Sequence, residues 1–277
     1  MTAIPTTELE GHPPIVMGVL NVTPDSFSDG GQFVDPDAAV AHGRRLFAEG
    51  AAIVDVGGES TRPGAEPVPV DDERRRVIPV IGELARHGRV SIDTRKAAIA
   101  EAAVEAGATI INDVSASLHR VAAEAGVVWI AMHMRGEPAT MQADPQYHDV
   151  VDEVRRFLLA RAEAGLAAGA PEVWIDPGIG FGKTSTHNLS LLRRLPEITR
   201  AGHPVVVGTS RKSFVGLLHR RSDGLGDLSD AVPASDRLEG SLATAVWALA
   251  CGARVVRVHD VAETVAAVRI CSEGVAA

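Results

Sequence analysis

Eight short apolar runs punctuate this chain, at residues 15–20, 52–56, 90–92, 109–111, 127–132, 173–175, 204–207 and 254–258. Each is rich in β-branched residues and lacks the polar alternation of a half-solvated strand, so each reads as a strand buried on both faces, the pattern of a parallel sheet. Between the runs lie stretches with Ala, Glu, Arg and Leu at helical spacing, for example 38–48, 72–85, 96–106, 149–168, 188–199 and 237–250. Gly50, Gly107, Gly126, Gly169, Gly202 and Gly252 each stand just before a strand, where a helix ending in a left-handed residue wants glycine. Eight strands with intervening helices predict a single (β/α)8 barrel. A doubly wound sheet is the alternative, and it commonly has fewer strands.

The length of 277 residues suits one such domain, set at 15–277 after an extended or disordered leader at 1–14. Aromatics are only 4% of the chain, so the core must be built from Val, Ile, Leu and Ala. A net charge of −9 argues against a general nucleic-acid binder, although local Arg and Lys can still attract an anionic small molecule. No apolar run is long enough to span a membrane and no secretory signal opens the chain. Cys251 and Cys271 lack CxxC spacing and read as buried or half-buried thiols in a reducing cytoplasm. Residues 220–235, rich in Asp, Ser, Gly and Pro, read as a surface loop.

In a barrel the active site lies at the C-terminal ends of the strands. Those ends are polar throughout: Asn21; Glu59 to Arg62; Asp93-Thr94-Arg95; Asn112-Asp113; His133 and Arg135; Asp176; Ser210 to Ser213; and Arg257, His259 and Asp260. One polar end is ordinary, because strands must stop and loops are solvated. Eight on one rim suggest a pocket for an anionic, hydrogen-bonding small molecule. Asp93 and Asp176 could accept paired N–H bonds of the kind an aminopyrimidine presents, and Asn112 could serve a mixed edge. Arg211, Lys212, Arg257 and His259 are cations suited to phosphate. Asp176 could instead be a helix N-cap before Pro177, and Arg211 could be a solvated helix start.

Residues 178–184, Gly-Ile-Gly-Phe-Gly-Lys-Thr, resemble the end of a phosphate-binding loop, but Pro177 occupies the position that loop reserves for its first glycine. The dinucleotide fingerprint fails on spacing. These glycines are expected to allow close backbone approach to a ligand.

Residues 17–31, Met-Gly-Val-Leu-Asn-Val-Thr-Pro-Asp-Ser-Phe-Ser-Asp-Gly-Gly, and 55–64, Asp-Val-Gly-Gly-Glu-Ser-Thr-Arg-Pro-Gly, resemble the two signatures of the dihydropteroate synthases. Ser91 to Thr94, Ile111 to Ser115, Asp176 to Lys183, Ser210 to Ser213 and Arg257 to Asp260 extend the resemblance in family order. It implies condensation of a dihydropterin bearing a CH2-diphosphate with 4-aminobenzoate, in which diphosphate leaves first and the amine attacks a delocalised cation. It implies a pterin set of Asp93, Asn112, Met132, Asp176, Gly208 and Lys212. It implies a diphosphate clamp of Arg257 and His259, with Asn21 contacting both diphosphate and Mg2+. Phe27, Thr61, Arg62, Pro63, Phe181 and Ser213 are implied around 4-aminobenzoate. Asp29, Asp93, Lys212, Arg257 and His259 are the implied catalytic groups, and a cytoplasmic homodimer is the implied assembly. Two rivals remain in view: a methyltransferase barrel acting on methyltetrahydrofolate, which needs neither the 60–63 stretch nor the Arg257/His259 pair, and a non-catalytic paralogue, which should have lost loop residues.

Overall fold

The computed structural model describes residues 14–23, 35–61, 65–222 and 232–274. Its strands are β1 (Ile15–Asn21), β2 (Ile53–Gly57), β3 (Arg89–Asp93), β4 (Ile110–Asp113), β5 (Val128–Met132), β6 (Val173–Asp176), β7 (Val206–Val207) and β8 (Val255–Val258). Its helices are α1 (Pro36–Ala48), α2 (Val70–Leu84), α3 (Ala97–Glu105), α4 (His119–Ala125), α5 (Val150–Ala167), α6 (Ser185–Arg193), α7 (Pro196–Thr199), α8 (Ser213–Ser222), α9 (Leu238–Ala250) and α10 (Val261–Gly274).

All pairings are parallel, in the order β6-β5-β4-β3-β2-β1-β8-β7, and a bridge between Ile175 and Val205 links the two edges. The eight expected strands are therefore those of a (β/α)8 barrel. β7 is shorter than its apolar run because Pro204 has no N–H to give the ladder; its carbonyl still accepts from Ile175 N at 3.0 Å. The six strand-preceding glycines all have positive φ, as their placement requires.

The core has two parts. Met17, Ile53, Ile110, Ile130, Trp174 and Val255 pack on one another along the barrel axis, while the larger cluster fills the shell between strands and helices. Strand residues of one parity thus face the axis and those of the other face the helices. That division selects which strand-end side chains can reach the barrel mouth.

Three expectations change. The helix expected over 188–199 is two helices, α6 and α7, because Pro196 at the first position of α7 cannot continue the preceding ladder. Arg220 to Ser222 belong to α8 rather than to the loop expected over 220–235, whose residues 223–231 lie outside the described residues. Cys271 is exposed on α10, whereas Cys251 is buried. The expected leader, apart from Pro14, also lies outside the described residues. Among the described residues no helix is long and apolar enough to cross a membrane.

Candidate active site at the C-terminal mouth of the barrel

Register sets the rim. Asn21 stands opposite Gly57, Gly57 opposite Asp93, Asp93 opposite Asn112, and Met132 opposite Asp176. Continuing the inward parity through β7 and β8 adds Gly208 and Arg257.

Buried charge dominates this ring. Arg257 donates from Nε to Asp55 Oδ2 at 2.6 Å and from a terminal nitrogen to Asp93 Oδ2 at 2.7 Å. Asp55 Oδ2 also accepts from Asn112 Nδ2 at 2.9 Å, so one fully buried carboxylate oxygen from β2 holds side chains of β8 and β4. The other oxygens, Asp55 Oδ1 and Asp93 Oδ1, are buried acceptors without a hydrogen-bond partner among the described residues. Such atoms are costly unless a donor reaches them, and an N–H-bearing ligand is one source. Burial pushes the Asp93 carboxyl up to about 7 against the pull of Arg257, with the negative charge of Asp55 adding to the rise.

On the opposite wall, Asp176 is buried and its Oδ1 accepts from Gly178 N at 2.7 Å. Asp176 is not the helix N-cap expected as its alternative role, since the next helix, α6, starts only at Ser185; its carboxylate caps the turn at Pro177 and Gly178 instead. Burial raises its carboxyl above the usual range while Lys212 pulls it back. Lys212 donates to Ile179 O and lies 4.7 Å from the centre of the Phe181 ring. Burial brings its ammonium down to about 8, opposed by the attraction of Asp176. His259 Nδ1 lies 3.1 Å from Ser210 Oγ, which also accepts from the His259 backbone N–H at 3.1 Å.

The pleat separates neighbours that look alike in sequence. Asp113, next to Asn112, turns outward, and its carboxylate accepts from the N–H groups of Ser115, Ser117 and Leu118 and from Trp129 Nε1. Arg211, next to Lys212, places its guanidinium on both carboxylate oxygens of Asp260. It is an exposed, paired residue, not one of the pocket cations expected from its position.

Gly178 and Gly182, both at positive φ, do permit close approach, but the neighbour in the structure is protein. A Cβ on Gly178 would overlap His133 O, and one on Gly182 would overlap Arg135 O.

The pterin-binding enzyme family model matches residues 17–259. The chain belongs to that family. It is 49% identical over 266 residues to the dihydropteroate synthase of Mycobacterium leprae (strain TN), covering 92% of this chain and 91% of that one. To the Escherichia coli (strain K12) enzyme of the same name it is 46% identical, covering 95% and 93%. Among solved structures, Xanthomonas albilineans dihydropteroate synthase with 4-aminobenzoic acid superposes with a TM-score of 0.86 at 45% identity, covering 96% of this chain and 94% of that one. The same organism's enzyme in complex with 7,8-dihydropteroate gives 0.82 at 42%, covering 96% and 95%.

Within the pterin-binding fold, the residues expected to bind pterin converge. Asp93, Asn112, Met132, Asp176 and Gly208 are strand-end residues of one ring, with Lys212 above it. Thr61 lines a small cavity with Asp93 and Arg95. The neck of its loop is fixed from both sides: Glu59 accepts from Val68 N at 3.0 Å, and Lys96 donates to Val68 O at 2.8 Å while pairing with Glu59 and Glu73. Ser213 is exposed at the start of α8. Phe27, Asp29, Arg62 and Pro63 lie outside the described residues.

Two buried groups had no assigned role from the sequence. Asp55 could have been noticed, since it interrupts an otherwise apolar run two residues before Gly57. Lys183, only 2% exposed, gave no signal beyond its place in a shared motif.

Proposed function

We propose that the chain condenses a dihydropterin bearing a CH2-diphosphate with 4-aminobenzoate, forming 7,8-dihydropteroate and diphosphate. The observation that carries this reading is the ring of acceptors, buried Asn112 and Asp176 with half-buried Asp93, closed by Lys212 and Arg257 at one barrel mouth. The mouth has the donor and acceptor set for an aminopyrimidine edge with an anion beside it. The solved relatives named with 4-aminobenzoic acid and 7,8-dihydropteroate point the same way. A methyltransferase barrel would not need the clamp at Arg257 and His259. A non-catalytic paralogue would not keep the carboxylates and cations together.

Asp93 and Asp176 accept N–H groups of the pterin, and the Asn112 amide, steadied by Asp55, presents its oxygen. Arg257 links the two halves of the substrate. In the free protein it neutralises Asp93; a pterin N–H competes for Asp93 while the diphosphate competes for the guanidinium, so one internal pair gives way to two substrate contacts. The departing diphosphate is stabilised by Arg257 and His259, and Asp93 faces the cation left on the pterin. Phe181, Thr61 and Ser213 border the space for 4-aminobenzoate; Phe27, Arg62 and Pro63 are assigned to the same substrate, and Asp29 to the cation with Asp93, on the family resemblance, these four lying outside the described residues.

Among the described residues no group of three His, Cys, Asp or Glu side chains is arranged for a metal. A single neutral ligand, Asn21, still fits Mg2+, which commonly takes most of its positions from substrate phosphate and water. When bound there, Mg2+ supplies positive charge to the leaving diphosphate.

The purified protein given both substrates and Mg2+ should release diphosphate stoichiometrically with dihydropteroate; no release under any metal condition would remove the assignment. A homodimer in the cytoplasm is part of the same reading. It is supported by Trp247 and Leu189, exposed on the contacting helices α9 and α6, and by two free thiols. Sedimentation equilibrium giving only monomer would count against the dimer.

A pH dependence follows for the dihydropterin alcohol, which lacks diphosphate and so isolates the protein groups. Its affinity should rise as Asp93 ionises through about 7 and fall as Lys212 loses its proton above about 8. Each limb should approach about tenfold per pH unit. Calorimetric titration across both values checks this, and a flat profile contradicts the roles of both groups.

A further inference from the structure

Lys183 is a buried lysine that the reaction as described above does not use; burial holds its pKa well below the ordinary lysine range, against the attraction of Asp176. Its side-chain nitrogen donates to Gly178 O at 2.9 Å and Phe181 O at 3.0 Å, lies 2.9 Å from His133 Nδ1, and has His133 O at 3.3 Å. Two carbonyls and one imidazole nitrogen match the three N–H bonds it carries when protonated. His133 suits the acceptor role: burial first, then the charge of Lys183, hold its pKa down to about 3.

The loop that Lys183 grips is fixed carbonyl by carbonyl. Ile179 O accepts from Lys212, Gly180 O from Gln142 Nε2, and Gly182 O from Tyr147 Oη at 2.8 Å. With the two bonds from Lys183, five consecutive carbonyls, from Gly178 to Gly182, each have a side-chain donor. The outer bonds tie the loop to the segment after β5, and Lys183 joins it from inside to the backbone and ring of His133, beside the bonds that Lys212 and Asp176 make to it. Two loop features face the pocket: the Ile179 carbonyl that holds Lys212 and the Phe181 ring beside the same ammonium.

We propose that Lys183 is a positioning residue of the reaction, whose buried side-chain nitrogen locks residues 177–182 onto the end of β5 and so sets where Phe181 and Lys212 meet the two substrates. The inference rests on the reading of the chain as a dihydropteroate synthase, and wild-type turnover tests that reading separately.

Given an active wild type, Lys183→Met and Lys183→Gln should raise KM for both substrates and lower kcat/KM on the order of 10²-fold, the scale of a roughly 1 Å misplacement. The alkaline limb of the pH profile should also move up as Lys212 gains solvent. Asp176 on β6, Asp93 on β3 and Arg257 on β8 face Lys212 and are unchanged, but Lys183 itself also acts on Lys212 through its charge, so a moved limb counts as displacement only where KM for both substrates rises with it. Tyr147→Phe removes one outer bond from the same loop and should lower stability while leaving the limb in place. Wild-type KM values and an unmoved limb in the Lys183 variants would overturn the proposal, as would an equal displacement in Tyr147→Phe. Should neither Lys183 variant fold, hydrogen exchange on the wild type decides. The amides of Gly180, bonded to Asn188 Oδ1 at 2.8 Å, and Phe181, bonded to Gly178 O at 3.0 Å, should be protected before substrate is added. Fast exchange that slows only with both substrates would refute a preset loop.

Discussion

Arg257→Met should lower kcat/KM on the order of 10³-fold, the upper range for losing one preorganised donor to developing charge. It should also destabilise the protein by about 3–5 kcal/mol, the usual range for breaking a buried ion pair by removing one partner. Fully buried Asp55 and half-buried Asp93 would then face one another without their shared cation. The stability loss carries a pH signature. The Asp93 carboxyl, already pushed up to about 7 by burial, loses the Arg257 charge that opposes that rise and moves higher. A folded-state pKa above the unfolded value means that stability is fully present below the unfolded pKa and is lost as pH rises through the folded one. The melting deficit of the variant relative to wild type should therefore be smaller in acid and widen above pH 7. A deficit constant across this range would show that the Arg257–Asp93 contact contributes nothing to the fold.

Gly178→Ala should be about as damaging to activity as removal of the Lys183 side chain. Gly178 has φ +62°, a conformation that costs an L-residue about 1–2 kcal/mol by itself. The larger effect is steric. The new Cβ would meet the His133 carbonyl, a backbone atom that cannot rotate away as a side-chain tip can. The loop has to shift, and it carries the Ile179 carbonyl and Phe181 ring that border Lys212. A displacement near 1 Å should reduce kcat/KM on the order of 10²-fold. Gly169→Ala is the matched comparison. Gly169 also has positive φ, +99°, but no atom lies within 4 Å of its would-be Cβ. It should lose stability only, with kinetics unchanged. Thermal melts and kcat/KM on both variants separate backbone strain from displacement of the site. Equal kinetic loss in the two would mean that strain alone accounts for the effect.

Much of the molecule was readable from the chain. Eight β-branched runs, helical stretches and glycines at helix ends specify a parallel barrel, because local periodicity and φ preference act over a few residues. The rim was also legible, since the strand ends mark the mouth and the residue types there name a chemistry. The sequence did not separate neighbours such as Asn112 and Asp113, or Lys212 and Arg211. Strands buried on both faces are apolar throughout, so they carry no alternation from which to count inward and outward positions. Only the closed barrel fixes that parity, placing Asn112 inside and turning Asp113 toward its own turn.

Tertiary structure alone decided what Asp55 and Lys183 do. Asp55 bonds Asn112, 57 residues away, and Arg257, 202 residues away; Lys183 bonds His133, 50 residues away. No local pattern encodes such separations, because the partners meet only when the strands close into a ring. By itself the sequence determined the barrel, its mouth and the family's reaction. The fold decided which charges share that mouth, since burial gives each one a partner and a pKa that depend on distance in space.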